Sequence, residues 1–181
     1  MIYSASSVWA RYKTNNEYYY LIRQSIFFVI GTIGFIIATK IDVKHYKKYA
    51  NHIFLGCLFL MLLVLIPGIG IVRGGARSWI GIGDFGFQPV EFMKIGFIIF
   101  TSKFLSNNEG IMKKNKYFYS FVIIVGFVFG LILLQPDFGS GMILVLSIIM
   151  MLFIAEIQIK NIVIGLIVAS LLVTGMILMA P

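Results

Sequence analysis

Charge is the first shortage. Of 181 residues only 12% are charged, and acidic side chains are the scarcer kind, seven Asp and Glu against fifteen Lys and Arg. A soluble domain carries roughly 25% charged residues. With 60% hydrophobic residues and a mean hydropathy of +0.96, the composition suits lipid and excludes a globular domain with a water-facing shell. Cys57 is the only cysteine and lies in an apolar run, which excludes a disulfide framework and a thiolate metal site. The two histidines, His45 and His52, stand apart from any ligand partner and read as interfacial side chains, so no metal centre is expected. A Walker loop and a Ser/His/Asp set are both missing. Gly68-Ile-Gly70 follows an apolar segment rather than a strand, so it is no dinucleotide loop, and no cofactor is evident. Residues 1–7 lack the basic and apolar regions of a secretion signal. The last apolar run stops directly at Ala180-Pro181, and both ends read as cuts through a longer protein.

What the chain has in abundance is apolar runs. Spanning a bilayer takes about 20 mostly apolar residues as a helix. The stretches between charges predict spans at 21–39, 50–72, 88–105, 117–135, 138–156 and 161–180, with the opening residues as the tail of an earlier helix. The expected class is an all-α polytopic membrane protein, one partial membrane domain over 1–181. Gln135-Pro136-Asp137 separates the fourth and fifth spans, and proline there predicts a tight reversal. Alternate connections hold Lys40, Lys44, Lys47 and Lys48, then Lys103, Lys113, Lys114 and Lys116, then Lys160. The positive-inside rule makes those connections cytoplasmic and puts 8–20, 73–88 and 135–140 on the opposite face. Topology thus accounts for the net charge of +8, and nucleic acid is not an expected partner. Trp9, Tyr12, Tyr18, Tyr19 and Tyr20 read as an interfacial belt, and Gly126 with Gly130 as a small-residue pair for close helix packing.

Residues 73–94 break the pattern. Glu91 and Lys94, three apart, share one helical face that Gln88 continues toward the helix start. Charge within a span is costly, on the order of 2.5–3.5 kcal/mol at the bilayer centre on insertion scales. Such a pair either neutralises itself as a structural contact or lines a wet cavity. Asp137, in a reversal on the same side, suits a helix N-cap and could also meet a ligand. Arg73 and Arg77 flank glycines, with Trp79 close by; they are either an interfacial loop or a fork for phosphate. Together these groups suit an anionic lipid head group, whether for chemistry or for transport.

The same residues carry a resemblance. Tyr3-Ser-Ala-Ser-Ser-Val-Trp-Ala, then Arg73-Gly-Gly-Ala-Arg-Ser-Trp-Ile-Gly-Ile-Gly with Gln88-Pro-Val-Glu-Phe-Met-Lys, then Leu134-Gln-Pro-Asp-Phe-Gly-Ser resemble three signatures of the SEDS family. Its members include FtsW, RodA and SpoVE, and Tyr3–Ala10 with Lys103-Phe-Leu-Ser looks nearest the FtsW/SpoVE branch. The resemblance implies part of a ten-helix plasma-membrane protein. Its activity would be peptidoglycan glycosyl transfer, polymerising lipid II beside a class B penicillin-binding protein, in division, cell shape or sporulation. The other readings are a lipid II flippase and a non-catalytic fragment that binds a partner. By motif, Glu91, Lys94, Asp137 and Gln88 would line the substrate cavity, while Arg73, Arg77 and Trp79 would form the outer loop that meets the diphosphate. A divalent cation is allowed by the family's chemistry. The family's catalytic aspartate would lie beyond Pro181, so this chain alone is expected to be inactive. Two positions depart from the family pattern: Val90 replaces the usual serine, and Glu156 a frequent glycine.

Overall fold

The computed structural model describes residues 11–12, 17–73, 76–82, 85–108, 115–158, 160, 163–167, 170 and 174. Along the chain lie helices α1 (Tyr19–Lys40) and α2 (Val43–Leu65), strands β1 (Gly70–Arg73), β2 (Ala76–Ile82) and β3 (Phe85–Phe87), then helices α3 (Pro89–Asn107), α4 (Asn115–Leu133) and α5 (Phe138–Ile154). They divide into two compact units, 1–46 and 47–181.

In the first unit α1 has no buried residue, and between Gln24 and Lys40 it carries no charged side chain. Its hydroxyls turn inward on the helix: Ser25 donates to the Leu21 carbonyl at 2.9 Å and Thr32 to that of Phe28 at 2.8 Å. That is how a helix in lipid satisfies polar side chains without water. The corner after α1 is tied by Asp42 Oδ1, which accepts from the Lys44 N–H at 2.9 Å, and by the Tyr46 hydroxyl, which donates to the Ala38 carbonyl at 2.9 Å. Both α1 and α2 are long and apolar enough to cross a membrane, and residues 117–133 and 138–154 form shorter apolar helices.

The second unit holds the core. Phe54 of α2 stacks on Phe100 of α3 at 4.4 Å, and Phe104 continues the ladder to Phe121 of α4 at 5.4 Å. Val90, Met93, Phe97, Ile132, Leu144 and Ile148 fill the space beside it. Two glycines set the helix spacing. A Cβ on Gly96 would meet Cys57 Sγ of α2 at 2.9 Å, and one on Gly141 would meet the Phe129 ring of α4 at 3.0 Å. At one end of the unit Lys47 Nζ donates to Ser106 Oγ at 3.0 Å, joining the start of α2 to the end of α3. At the other end Gln135 Nε2 donates to the Met61 carbonyl at 3.3 Å. The last turns of α2, the sheet, the start of α3 and the α4–α5 reversal therefore gather together.

Four of the spans expected from sequence match α1, α3, α4 and α5 to within a turn at each end. The second does not. It was expected over 50–72, whereas α2 covers Val43–Leu65. Pro67 has no N–H to continue the helix, and Gly68 takes a φ of +95°, which only glycine adopts readily. The glycine-rich loop expected at 73–88 is a three-stranded antiparallel sheet of order β1-β2-β3. Ile71 pairs with Trp79, Val72 with Arg77 and Ile80 with Phe87, with a bulge between Ile71 and Val72. The spans remain all-α, with the sheet as a cap on one end. Gly126 and Gly130 do not make the close approach expected of them, since nothing among the described residues lies within 4 Å of a Cβ at either. The helix α4 turns Phe121, Val128 and Ile132 inward instead. The opening signature at Tyr3–Ala10, with Trp9, and most of the expected span 161–180 fall outside the described residues.

Candidate functional site

Helix α3 begins at Gln88, which stands at the N-cap with extended backbone, followed by Pro89 in the first turn. Proline suits that position because its missing N–H would have no helical acceptor there. Glu91 follows in the same turn, where a carboxylate is favoured by the exposed N–H groups and the helix dipole. One turn further in, Lys94 Nζ donates to Glu91 Oε1 at 2.9 Å. The partners are unequally covered: the lysine side chain is 16% exposed and the glutamate 56%. The lysine side chain is largely covered and the glutamate side chain is exposed. Exposed ion pairs contribute only about 0–1 kcal/mol, so this one matters more for fixing the ammonium in place than for stability.

The start of α5 is built by Asp137. Its Oδ1 accepts the Ser140 N–H at 3.1 Å, which makes it the N-cap that the sequence suggested. Its Oδ2 accepts from Gln88 Nε2 in a short hydrogen bond. One carboxylate thus caps α5 and also fastens it to the start of α3. Two helix N-termini, each with partial positive charge, are thus joined, and Lys94 follows Gln88 along α3.

The sheet delivers the chain to this point. The Ile80–Phe87 pairing leads straight into Gln88, and Phe87 meets Phe92 of α3 edge-on at 5.5 Å. Arg77 is half-buried opposite Val72, and its Cγ lies 2.8 Å from where a Cβ on Gly70 would stand. That same Cβ would approach the Val64 carbonyl to 2.0 Å, so glycine is required where β1 crosses the end of α2. The alkyl stem of Arg77 is therefore spent on packing, leaving its guanidinium as the reaching part. Trp79 is half-buried opposite Ile71. The backbone of Arg73 pairs with Ala76, while its side chain lies outside the described residues. The structure brings Gln88 to Asp137 and Glu91 to Lys94; Arg77 and Trp79 stand on the adjoining sheet.

The sequence placed Gln135 in the reversal but gave it no part in the site. It is fully buried, its Nε2 bonded to Met61 and its Oε1 without a partner among the described residues. The signal was an amide at the end of a long apolar run, beside a proline, with no surface to explain it. Among the described residues no three His, Cys, Asp or Glu side chains gather as a metal set.

Comparison with known proteins follows the same lines. Residues 1–181 match the cell cycle protein family of FtsW, RodA and SpoVE. The chain is 42% identical over 187 residues to stage V sporulation protein E of Bacillus subtilis, covering 100% of this chain and 50% of that protein. It is 37% identical over 163 residues to a probable peptidoglycan glycosyltransferase FtsW of a Geobacter species, covering 90% and 44%. It superposes on the crystal structure of the rod shape determining protein RodA of Thermus thermophilus with a TM-score of 0.71 at 27% identity, over 84% of this chain and 50% of that one. A structure concerned with polymerization and crosslinking by a peptidoglycan synthase complex gives 0.72 at 27% identity, over 84% and 44%. The chain spans about half the length of the relatives it matches. Apolar helices, the charged start of α3 and the capped reversal before α5 all belong to one pattern: the chain is a member of the SEDS family of multi-pass membrane proteins, with FtsW, RodA and SpoVE.

Proposed function

We propose that this chain forms the substrate-holding part of a peptidoglycan glycosyltransferase that polymerises lipid II. The observation that carries the reading is the Gln88–Asp137 bond, which joins the start of α5 to the start of α3, the helix on which the largely covered Lys94 side chain is paired with Glu91. Such an end favours an anion. A lipid-linked diphosphate sugar reaches it from the membrane without its tail leaving the bilayer. In the reaction an acceptor sugar hydroxyl attacks the donor anomeric carbon, the bond to the diphosphate breaks, and undecaprenyl diphosphate leaves. Lys94 and the guanidiniums of Arg73 and Arg77 would stabilise the charge that develops on the leaving group. Glu91 and Asp137 would accept hydrogen bonds from sugar hydroxyls, with Gln88 holding Asp137 and Trp79 anchoring the loop at the interface. A divalent cation would be held mainly by the diphosphate, because Glu91 and Asp137 together fall short of the roughly six oxygens that magnesium needs.

The lysine-rich connections would be cytoplasmic and the sheet end would face outward. A class B penicillin-binding protein is the partner this reading expects, since a glycan strand must be crosslinked as it grows. The competing reading passes the head group between leaflets. It calls for polar groups along the whole path; among the described residues the buried polar side chains Ser78, Gln135 and Ser140 lie in the sheet, the reversal and the first turn of α5, and Thr101 lies within α3.

The test uses the full-length Bacillus subtilis relative, purified, reconstituted and given labelled lipid II. Replacing the counterparts of Glu91 and Asp137 together is expected to lower glycan synthesis by a factor of about 100, the scale of a misplaced reacting group. Synthesis undiminished by that change would overturn the assignment. A lipid flip assay run on the same vesicles separates polymerisation from transport.

A further inference from the structure

Gln135 is fully buried, and among the described residues only one of its two polar ends has a partner. A buried acceptor without a partner costs about 1–3 kcal/mol. A methionine or leucine would fill the same volume without that penalty. Stability therefore does not explain the residue, and its placement does.

Its Nε2 reaches 3.3 Å to the Met61 carbonyl, so the side chain is anchored on α2. Its main chain belongs to the reversal, where the Gln135 and Asp137 N–H groups both donate to the Ile132 carbonyl, at 3.0 and 3.4 Å. A single residue, Pro136, separates this anchor from Asp137. The Asp137 carboxylate is then held by Ser140 of α5 on one oxygen and by Gln88 of α3 on the other. Those two bonds alone would let the reversal pivot about the carboxylate. The bond to α2 supplies the third point of attachment.

We propose that Gln135 is a positioning residue for Asp137: by pinning the α4–α5 reversal to α2, it sets where the carboxylate stands relative to Gln88 and Lys94. The inference rests on the reading of this end as the lipid-linked substrate site. Gln135 does not itself touch substrate in this account. It acts through Asp137, by the N–H that it directs at the Met61 carbonyl.

The experiment compares the purified chain with Gln135→Met, Asp137→Asn and the double variant, with Gln135→Leu as a second apolar form where methionine does not fold. Three quantities are read: thermal stability, amide exchange at Ser140, and affinity for the undecaprenyl-diphosphate-linked disaccharide precursor in detergent. Gln135→Met should leave the melting temperature unchanged or higher. Exchange at Ser140 should accelerate, and precursor affinity should fall, each by about tenfold, a modest share of what misplacement of a group can cost. In the Asp137→Asn background the same change should alter affinity by less than about twofold, because residues acting as one unit are not additive. Affinity losses that multiply in the double variant would overturn the proposal, as would a lower melting temperature with unchanged affinity. If the unaltered chain does not bind the precursor, the substrate reading fails, and exchange at Ser140 alone decides whether Gln135 positions the cap.

Discussion

Glu156 stands at φ +54°, just past the end of α5. The Ile157 N–H donates to the Leu152 carbonyl at 3.2 Å and the Glu156 N–H to that of Phe153 at 3.1 Å, the paired bonds of a Schellman ending. Ile157 and Leu152 both join the core, giving the apolar contact that accompanies this motif. The departure from the family's frequent glycine therefore falls where a left-handed residue is required and a side chain is penalised. Glu156→Gly is expected to stabilise the chain by about 1 kcal/mol, read as a higher melting temperature in detergent; an unchanged or lower value would show that the side chain makes a compensating contact. The other departure, Val90, is buried in the core beside Met93. It alters packing and takes nothing from the charged residues around it. At this scale Asp137 was legible as a cap because it follows a proline and precedes a long apolar run. Gln135 was not, since burial of an amide is decided by which helices surround it, and its own neighbours in sequence do not reveal that.

Helices reveal themselves by length and hydropathy, so α1, α3, α4 and α5 could be placed from the sequence alone. The sheet could not be placed so easily. Its strands are short, and β2 mixes Arg77 and Ser78 with Trp79 and Ile80, so an alternating pattern never establishes itself. Two signals were present nonetheless. Gly74-Gly75 and Gly83-Asp84 are each the two residues between consecutive strands, and such pairs favour hairpins. The glycines divide in a similar way. Spacing drew attention to Gly126 and Gly130, whereas among the described helical glycines the close contacts belong to Gly96 and Gly141, which no motif distinguishes. Alanine at Gly96 or Gly141 should destabilise the helix packing by about 1–3 kcal/mol through overpacking. Alanine at Gly126 or Gly130 should be neutral or stabilising by up to about 1 kcal/mol through helix propensity. Thermal unfolding of the four variants checks the contrast, and equal losses at all four would show that α4 has a partner on its glycine face.

For the whole molecule, the arrangement of ends matters most. Lys47 meets Ser106 at one end, while Met61, Gln88 and Asp137 are linked at the other. Lys47, near the start of α2, and the arginine-bearing sheet that follows the end of α2 therefore lie at opposite ends of that helix. With Cys57 replaced by serine, a cysteine introduced at Lys47 should be modified by an impermeant reagent only from the cytoplasmic side, and one at Arg77 only from the outside. Labelling of both from one side would refute the orientation. This up-and-down order was legible because charges interrupt the spans at regular intervals. The joining of two helix starts by one carboxylate was not, because Gln88 and Asp137 are far apart in sequence and nothing local couples them. One feature of the seam between α2 and α3 has a practical use. The thiol of Cys57 donates to the Phe92 carbonyl at 3.5 Å and lies against Gly96, half-covered by the neighbouring helix. The chain thus carries its own reporter: alkylation of that single thiol should be slow while α2 and α3 stay closed and faster whenever ligand or partner moves them apart, so one unaltered cysteine can time the motion of the bundle.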